Sequence, residues 1–144
     1  MPDLQEAITV LKNNNYKITK QRQELLNCLV QKSDYYIPLT QLDDHLRTIF
    51  PKMSHGTIYR NIKEMQQIGV VETKMFDNGL RVKFQCDFNN EQHSHFICKN
   101  CGKVCEVKLP QLDTSNPQLK SYRVDSYQLE ILGICDKCLA KLSE

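Results

Sequence analysis

No run in the 144-residue chain approaches the roughly 18 apolar residues that a membrane span requires. A membrane-spanning helix is therefore not expected, and a soluble protein is. Met1 to Val10 includes Asp3 and Glu6, with no apolar core after it, so no secretory signal is expected. A cytoplasmic, reducing setting is expected, in which disulfides are disfavoured. There is no phosphate loop and no nucleophile elbow, which leaves an enzyme without its usual anchors. Strong charge is also lacking: the net +2 cannot by itself argue for nucleic-acid binding. Its division is more informative. Residues 1–84 carry 12 Lys/Arg against 9 Asp/Glu, and residues 85–144 carry 7 against 8. A basic half is joined to a cysteine-rich half, which suggests separate tasks.

The second half holds two Cys-x-x-Cys steps, Cys98-Lys99-Asn100-Cys101 and Cys135-Asp136-Lys137-Cys138. Two such steps on separate turns deliver four thiolates to the corners of a tetrahedron, as a closed structural zinc site needs. The 33 residues between them exceed the spacing of a compact ribbon, so sheet should fill the gap, with zinc clipping the last turn to the first. A redox dithiol would call for a thioredoxin-like βαβ pattern, which neither step has.

The first half reads as helices. Leu4, Ala7, Ile8 and Leu11 recur at helical spacing, as do Leu25, Leu26 and Leu29, then Leu39, Leu42, Leu46 and Ile49, each set forming one core face. Asn13-Asn14-Asn15 and Ser33-Asp34 separate them, and Pro38 suits the first turn of the third. A fourth helix is predicted over about 55–68, with Ser54 as N-cap, Met53 stapling to Ile58, and Gly69 just past the end. Ile58, Ile62 and Met65 point inward, leaving Ser54, His55, Thr57, Tyr59, Arg60 and Lys63 at the end or on the face that would meet DNA, as in a recognition helix. A merely solvated face stays open on spacing alone. Val70 to Phe76 and Leu80 to Cys86 then read as strands around Asp77-Asn78-Gly79, a strong hairpin signal. Arg81 and Lys83 alternate with Leu80, Val82, Phe84 and Cys86, so the hairpin is expected to be basic on one face. Helix-turn-helix followed by such a hairpin is a winged helix. Lys17, Lys20 and Arg22 can add phosphate contacts that position the domain.

Tyr16-Lys17-Ile18-Thr19-Lys20-Gln21-Arg22, Ser54-His55-Gly56-Thr57-Ile58-Tyr59-Arg60-Asn61, the His93-Ser94-His95 segment and both Cys-x-x-Cys steps resemble the ferric uptake regulator family, and more closely its zinc-uptake branch. The resemblance spans nearly the whole chain. It implies an α+β fold: an N-terminal winged helix-turn-helix domain over 1–84, a hinge at about 84–92, and a small C-terminal α+β dimerisation domain over 85–144 with a four-cysteine zinc site at Cys98, Cys101, Cys135 and Cys138. It also implies a homodimeric repressor that binds double-stranded operator DNA when loaded with metal and takes no other small-molecule substrate.

Cys86 ends a strand, His93 and His95 alternate in the next extended stretch, and Glu72 begins the wing. One thiolate, two imidazoles and one carboxylate suit tetrahedral Zn(II) better than Fe(II) or Mn(II). Without the resemblance, satisfied surface histidines and a small buried Cys86 are open alternatives. With it, Glu72, Cys86, His93 and His95 match the sensor ligands of the zinc branch. Four ligands leave no open position for catalysis, so Cys86 beside His93 is not expected to imitate an enzyme. Iron- and peroxide-sensing relatives take a ligand from a histidine near the third helix, where this chain has Tyr35-Tyr36-Ile37-Pro38. An iron-, manganese- or peroxide-responsive regulator is thus the weaker option within the family. Outside it, a zinc-stabilised protein-interaction module without DNA binding is the competing class. Cys28 reads as core, and Cys105 as core or strand filler rather than a ligand. A further family metal site retains only Glu106, since Gln92, Ser94 and Tyr127 stand where its other ligands would be. Two zinc ions per protomer are expected, one structural and one regulatory.

Overall fold

A computed structural model describes residues 3–85, 94–108, 116–125 and 129–142. The chain divides into two compact units, residues 1–89 and 90–144.

The first unit opens with α1 (Leu4–Asn13), whose N-cap Asp3 accepts from the Glu6 amide at 2.9 Å. Asn15 takes a left-handed φ of 65°, a conformation asparagine tolerates, and turns the chain toward α2 (Lys20–Gln31), capped by Thr19. A two-residue strand β1 (Ile37–Pro38) precedes α3 (Leu39–Ile49). Pro38 is thus the residue before the helix rather than in its first turn. Next comes α4 (His55–Gln67), with Ser54 accepting from the Thr57 amide at 3.2 Å. Gly69, at φ 79°, supplies the left-handed residue that releases the chain from the helix.

Strands β2 (Val71–Phe76) and β3 (Gly79–Phe84) form the hairpin, and β1 pairs with the other edge of β3, giving the antiparallel order β1-β3-β2. The register Phe76↔Gly79 leaves Asp77 and Asn78 as a two-residue loop. Ala7, Leu11, Leu25, Leu26, Leu29, Leu42, Leu46, Ile58, Ile62, Met65, Val70, Val71, Val82 and Phe84 make one core, so the sheet packs on the helices through alternate residues. This is the winged helix that the periodicity predicts. Ile49 departs from its expected place: at the end of α3 it is 45% exposed.

The expected basic face of the wing is also corrected. Arg81 and Lys83 are 5% and 2% exposed. The Arg81 guanidinium lies 4.3 Å above the Phe76 ring centroid, and Lys83 Nζ donates to the Phe84 carbonyl at 2.9 Å. Central-strand placement explains this: β3 is flanked on both sides, and long side chains there lie over apolar neighbours.

The second unit carries β4 (Ser94–Cys98), β5 (Val104–Val107), a 3-10 turn at Pro117–Leu119, β6 (Glu130–Gly133) and α5 (Asp136–Leu142). Its sheet runs β5-β4-β6, with β4 antiparallel to β5 and parallel to β6. Among the described residues, β5 and β6 lie between the two cysteine steps, while β4 ends at the first of them. Among the described residues, no helix is long and apolar enough to cross a membrane.

Candidate nucleic-acid interface and metal centres

In α4, Ile58, Asn61, Ile62 and Met65 are buried, while His55, Tyr59, Arg60 and Lys63 are exposed. His55, Tyr59 and Lys63 stand four residues apart and share a stripe; Tyr59 is 55% exposed. A large aromatic, an arginine and a lysine therefore project from a helix whose other face is fixed in the core. Ser54 and Thr57 serve the helix end itself, their hydroxyls 2.9 Å apart. His55 Nδ1 meets Asp43 of α3, which also accepts from Arg47 Nε at 3.0 Å, so the first turn of α4 is tied to the helix before it.

Lys17 and Lys20 are exposed at the start of α2. Arg22 is differently employed. Its Nε donates to Asn61 Oδ1 at 3.2 Å, its two terminal nitrogens to the Lys17 carbonyl at 2.7 Å and Glu64 at 2.9 Å, and it lies over the Tyr16 ring. With 14% of its side chain exposed, it clamps α2 to α4. Asn61, its buried partner, is not marked by the sequence pattern, which registers only apolar residues as inward.

The ligand atoms of Cys98, Cys101, Cys135 and Cys138 lie within 4.8 Å of one another. Cys98 ends β4, Cys101 follows in the turn, Cys135 precedes α5, and Cys138 lies inside that helix rather than in a turn. The Cys98 amide donates to the Lys103 carbonyl and the Lys99 amide to the Gly133 carbonyl, both at 2.8 Å, which folds the two steps against each other. The Cys101 and Cys135 sulfurs are 3.7 Å apart. Zinc–sulfur bonds of about 2.3 Å at the tetrahedral angle put sulfurs about 3.8 Å apart, so the set fits zinc.

Burial pushes the Cys98 thiol up, but the amides of Cys101, Cys135 and Asn100 and the Cys101 thiol donate to its sulfur and bring it down to about 6. At Cys101 burial raises the thiol, the Lys103 amide opposes, and hydrogen bonds with Cys98, Cys135 and Cys138 raise it further, to about 12. Backbone amides aimed at the Cys98 sulfur thus favour its thiolate, the form that ligates zinc.

Of the expected sensor ligands, Glu72 lies on β2, half-buried, and His95 on β4, also half-buried. His95 stands across from Glu106 on β5 and Glu130 on β6. Cys86 and His93 fall outside the described residues, as do Gln92 and Tyr127. Cys105 is a strand residue exposed on β5, next to buried Val104, so of its two expected roles it takes strand filler and not core. Cys28 is half-buried, and its thiol is raised first by burial and then by the Glu24 carboxylate; its polar neighbours are not visible in the helical pattern.

One unit is thus a winged helix and the other carries a four-cysteine cluster. The model of the Ferric uptake regulator family matches residues 13–132. The chain belongs to that family. The ferric uptake regulation protein of Staphylococcus epidermidis is 31% identical over 136 residues, covering 94% of this chain and 96% of that protein. The peroxide-responsive repressor PerR of Staphylococcus saprophyticus is 32% identical over 141 residues, covering 96% and 93%. A solved zinc uptake regulator complexed with zinc and DNA shares the fold with a TM-score of 0.71 at 23% identity, covering 98% of this chain and 95% of that one. The Helicobacter pylori ferric uptake regulator gives 0.65 at 22% identity, covering 96% and 97%. Membership makes this family member a metal-dependent transcriptional regulator rather than an enzyme.

Proposed function

We propose that the protein is a zinc-responsive repressor that binds operator DNA as a metal-loaded homodimer and controls zinc-uptake genes. The observation that carries the DNA-binding reading is α4, anchored by Ile58, Asn61, Ile62 and Met65 while Tyr59 and Arg60 project outward. Tyr59, Arg60 and His55 are the proposed base-reading groups, with Lys17, Lys20 and Lys63 on phosphates. Ser54 and Thr57 form the helix end that approaches the backbone. Arg22 acts in this reading by holding α4 in place.

Zinc specificity rests on donor chemistry. Glu72, Cys86, His93 and His95 form a borderline-to-soft set, and the segment before α3 offers no imidazole: Tyr36 is buried there, its ring 5.7 Å from Phe76. Ligands drawn from both units would let zinc and operator favour the same conformer, a coupling typically about 1–3 kcal/mol and necessarily reciprocal. Cys98, Cys101, Cys135 and Cys138 hold the structural zinc. Leu139 and Leu142 of α5 are exposed and line one shallow apolar cleft, which suits contact with a second copy of the chain.

The relatives named for ferric uptake and peroxide response support a second reading, an iron-, manganese- or peroxide-responsive regulator of the same family. Genome-wide footprinting with a zinc chelator, an iron chelator or peroxide separates the two. Loss of occupancy on zinc depletion alone supports zinc response. Loss only on iron depletion or peroxide treatment overturns it.

A further inference from the structure

A second cluster of metal-ligating groups lies within the winged helix, apart from the four cysteines and the sensor residues. Glu24 and Cys28 are four residues apart on α2 and therefore share one helix face, while His45 reaches them from α3. Their ligand atoms lie within 4.8 Å of one another. Glu24 Oε1 is 3.1 Å from His45 Nε2 and 3.8 Å from Cys28 Sγ. With zinc bonds of about 2.1 Å to oxygen and nitrogen and 2.3 Å to sulfur, tetrahedral neighbours stand about 3.4 to 3.6 Å apart. Both separations are therefore within a few tenths of an ångström of a ligand edge. The three groups line a cleft of about 440 Å³ with Ile37 and Leu42, so a fourth position facing solvent has room for water.

We propose that Glu24, Cys28 and His45 form an additional, exchangeable site for a Zn(II)-type cation, joining α2 to the first helix of the helix-turn-helix. A carboxylate, a thiolate and an imidazole are the three ligand types this ion takes. Binding forms a metal–sulfur bond and releases the Cys28 thiol proton to solvent. With His45 48% exposed and Glu24 29% exposed, and with one position left to water, the ion exchanges more readily than at the closed four-cysteine site. Its occupation would pin α3 to α2 and thus stiffen the base on which α4 is mounted. Nothing in this assignment depends on which metal the regulatory site senses.

Zinc titration of the protein, followed by native mass spectrometry and competition with a chromophoric chelator, tests the site. Wild type should take up one zinc per protomer beyond its tightly held complement. Cys28→Ser and His45→Gln should each weaken that uptake about tenfold or more, while Lys12→Ala, at an exposed position on α1, should leave it unchanged. Circular dichroism checks that each variant is folded. His45 is exposed, so His45→Gln decides the matter if Cys28→Ser fails to fold. No additional zinc in wild type, or one that a folded variant retains at wild-type affinity, overturns the assignment.

Discussion

Arg22 on α2 and Glu64 on α4 form an ion pair at 2.9 Å, and the same guanidinium holds the buried Asn61 side chain at 3.2 Å. The helix proposed to meet DNA is therefore positioned by a polar clamp as well as by its apolar stripe. Removing the clamp leaves Asn61 buried without this donor. Arg22→Met should lower unfolding free energy by about 1.5–3 kcal/mol, measured by urea denaturation. It should leave the salt slope of DNA binding unchanged, whereas Lys20→Ala should reduce that slope by about 1. A reduced slope in Arg22→Met would return Arg22 to the phosphate contacts.

Recognition and metal loading should separate cleanly at α4. Tyr59→Phe or Arg60→Ala should weaken operator binding by about 1–3 kcal/mol wherever the residue reads a base edge, with zinc affinity of the free protein unchanged. Fluorescence anisotropy and chelator competition on the same preparations check both halves of the expectation.

The four-cysteine cluster is expected to hold the second unit together. Cys101→Ser should lower stability and dissociate the dimer, seen by thermal denaturation and sedimentation. Protons compete with zinc for all four sulfurs, so falling pH should promote zinc release and the same dissociation. An equally stable, dimeric Cys101→Ser protein would count against the assignment.

Glu106 is exposed on β5 and stands across from His95 in the sheet. If the further family site is missing, Glu106→Ala should leave the zinc complement of the dimer unchanged by elemental analysis. Loss of a tight zinc would reveal ligands outside the set named above.

What is legible in the sequence is local. Helical periodicity locates α1 to α4, Asp77-Asn78-Gly79 locates the hairpin, and Cys-x-x-Cys spacing locates the four sulfurs, because each signal lies within a few residues. Strand β1 escapes these signals because two residues, one of them Pro38, carry no period. Alternation assigns Arg81 and Lys83 to the correct face of β3, but it does not say whether a face is covered. Arg22 reads as a phosphate contact because its partners lie 39 and 42 residues away. The approach of His45 to Glu24 and Cys28 is hidden for the same reason: it depends on how α3 packs on α2.

The most direct measurement is operator affinity as a function of free zinc for wild type and Cys86→Ser, using promoter fragments recovered by footprinting and anisotropy at fixed salt. Wild type should bind more tightly as zinc rises, by about 5- to 150-fold for a coupling of typical size, and iron or manganese at matched free concentrations should not substitute. Cys86→Ser should remain a folded dimer whose affinity is flat across the zinc range. A Cys86→Ser protein that still responds fully to zinc, or a wild type driven onto DNA by iron or manganese alone, would contradict zinc sensing through Glu72, Cys86, His93 and His95.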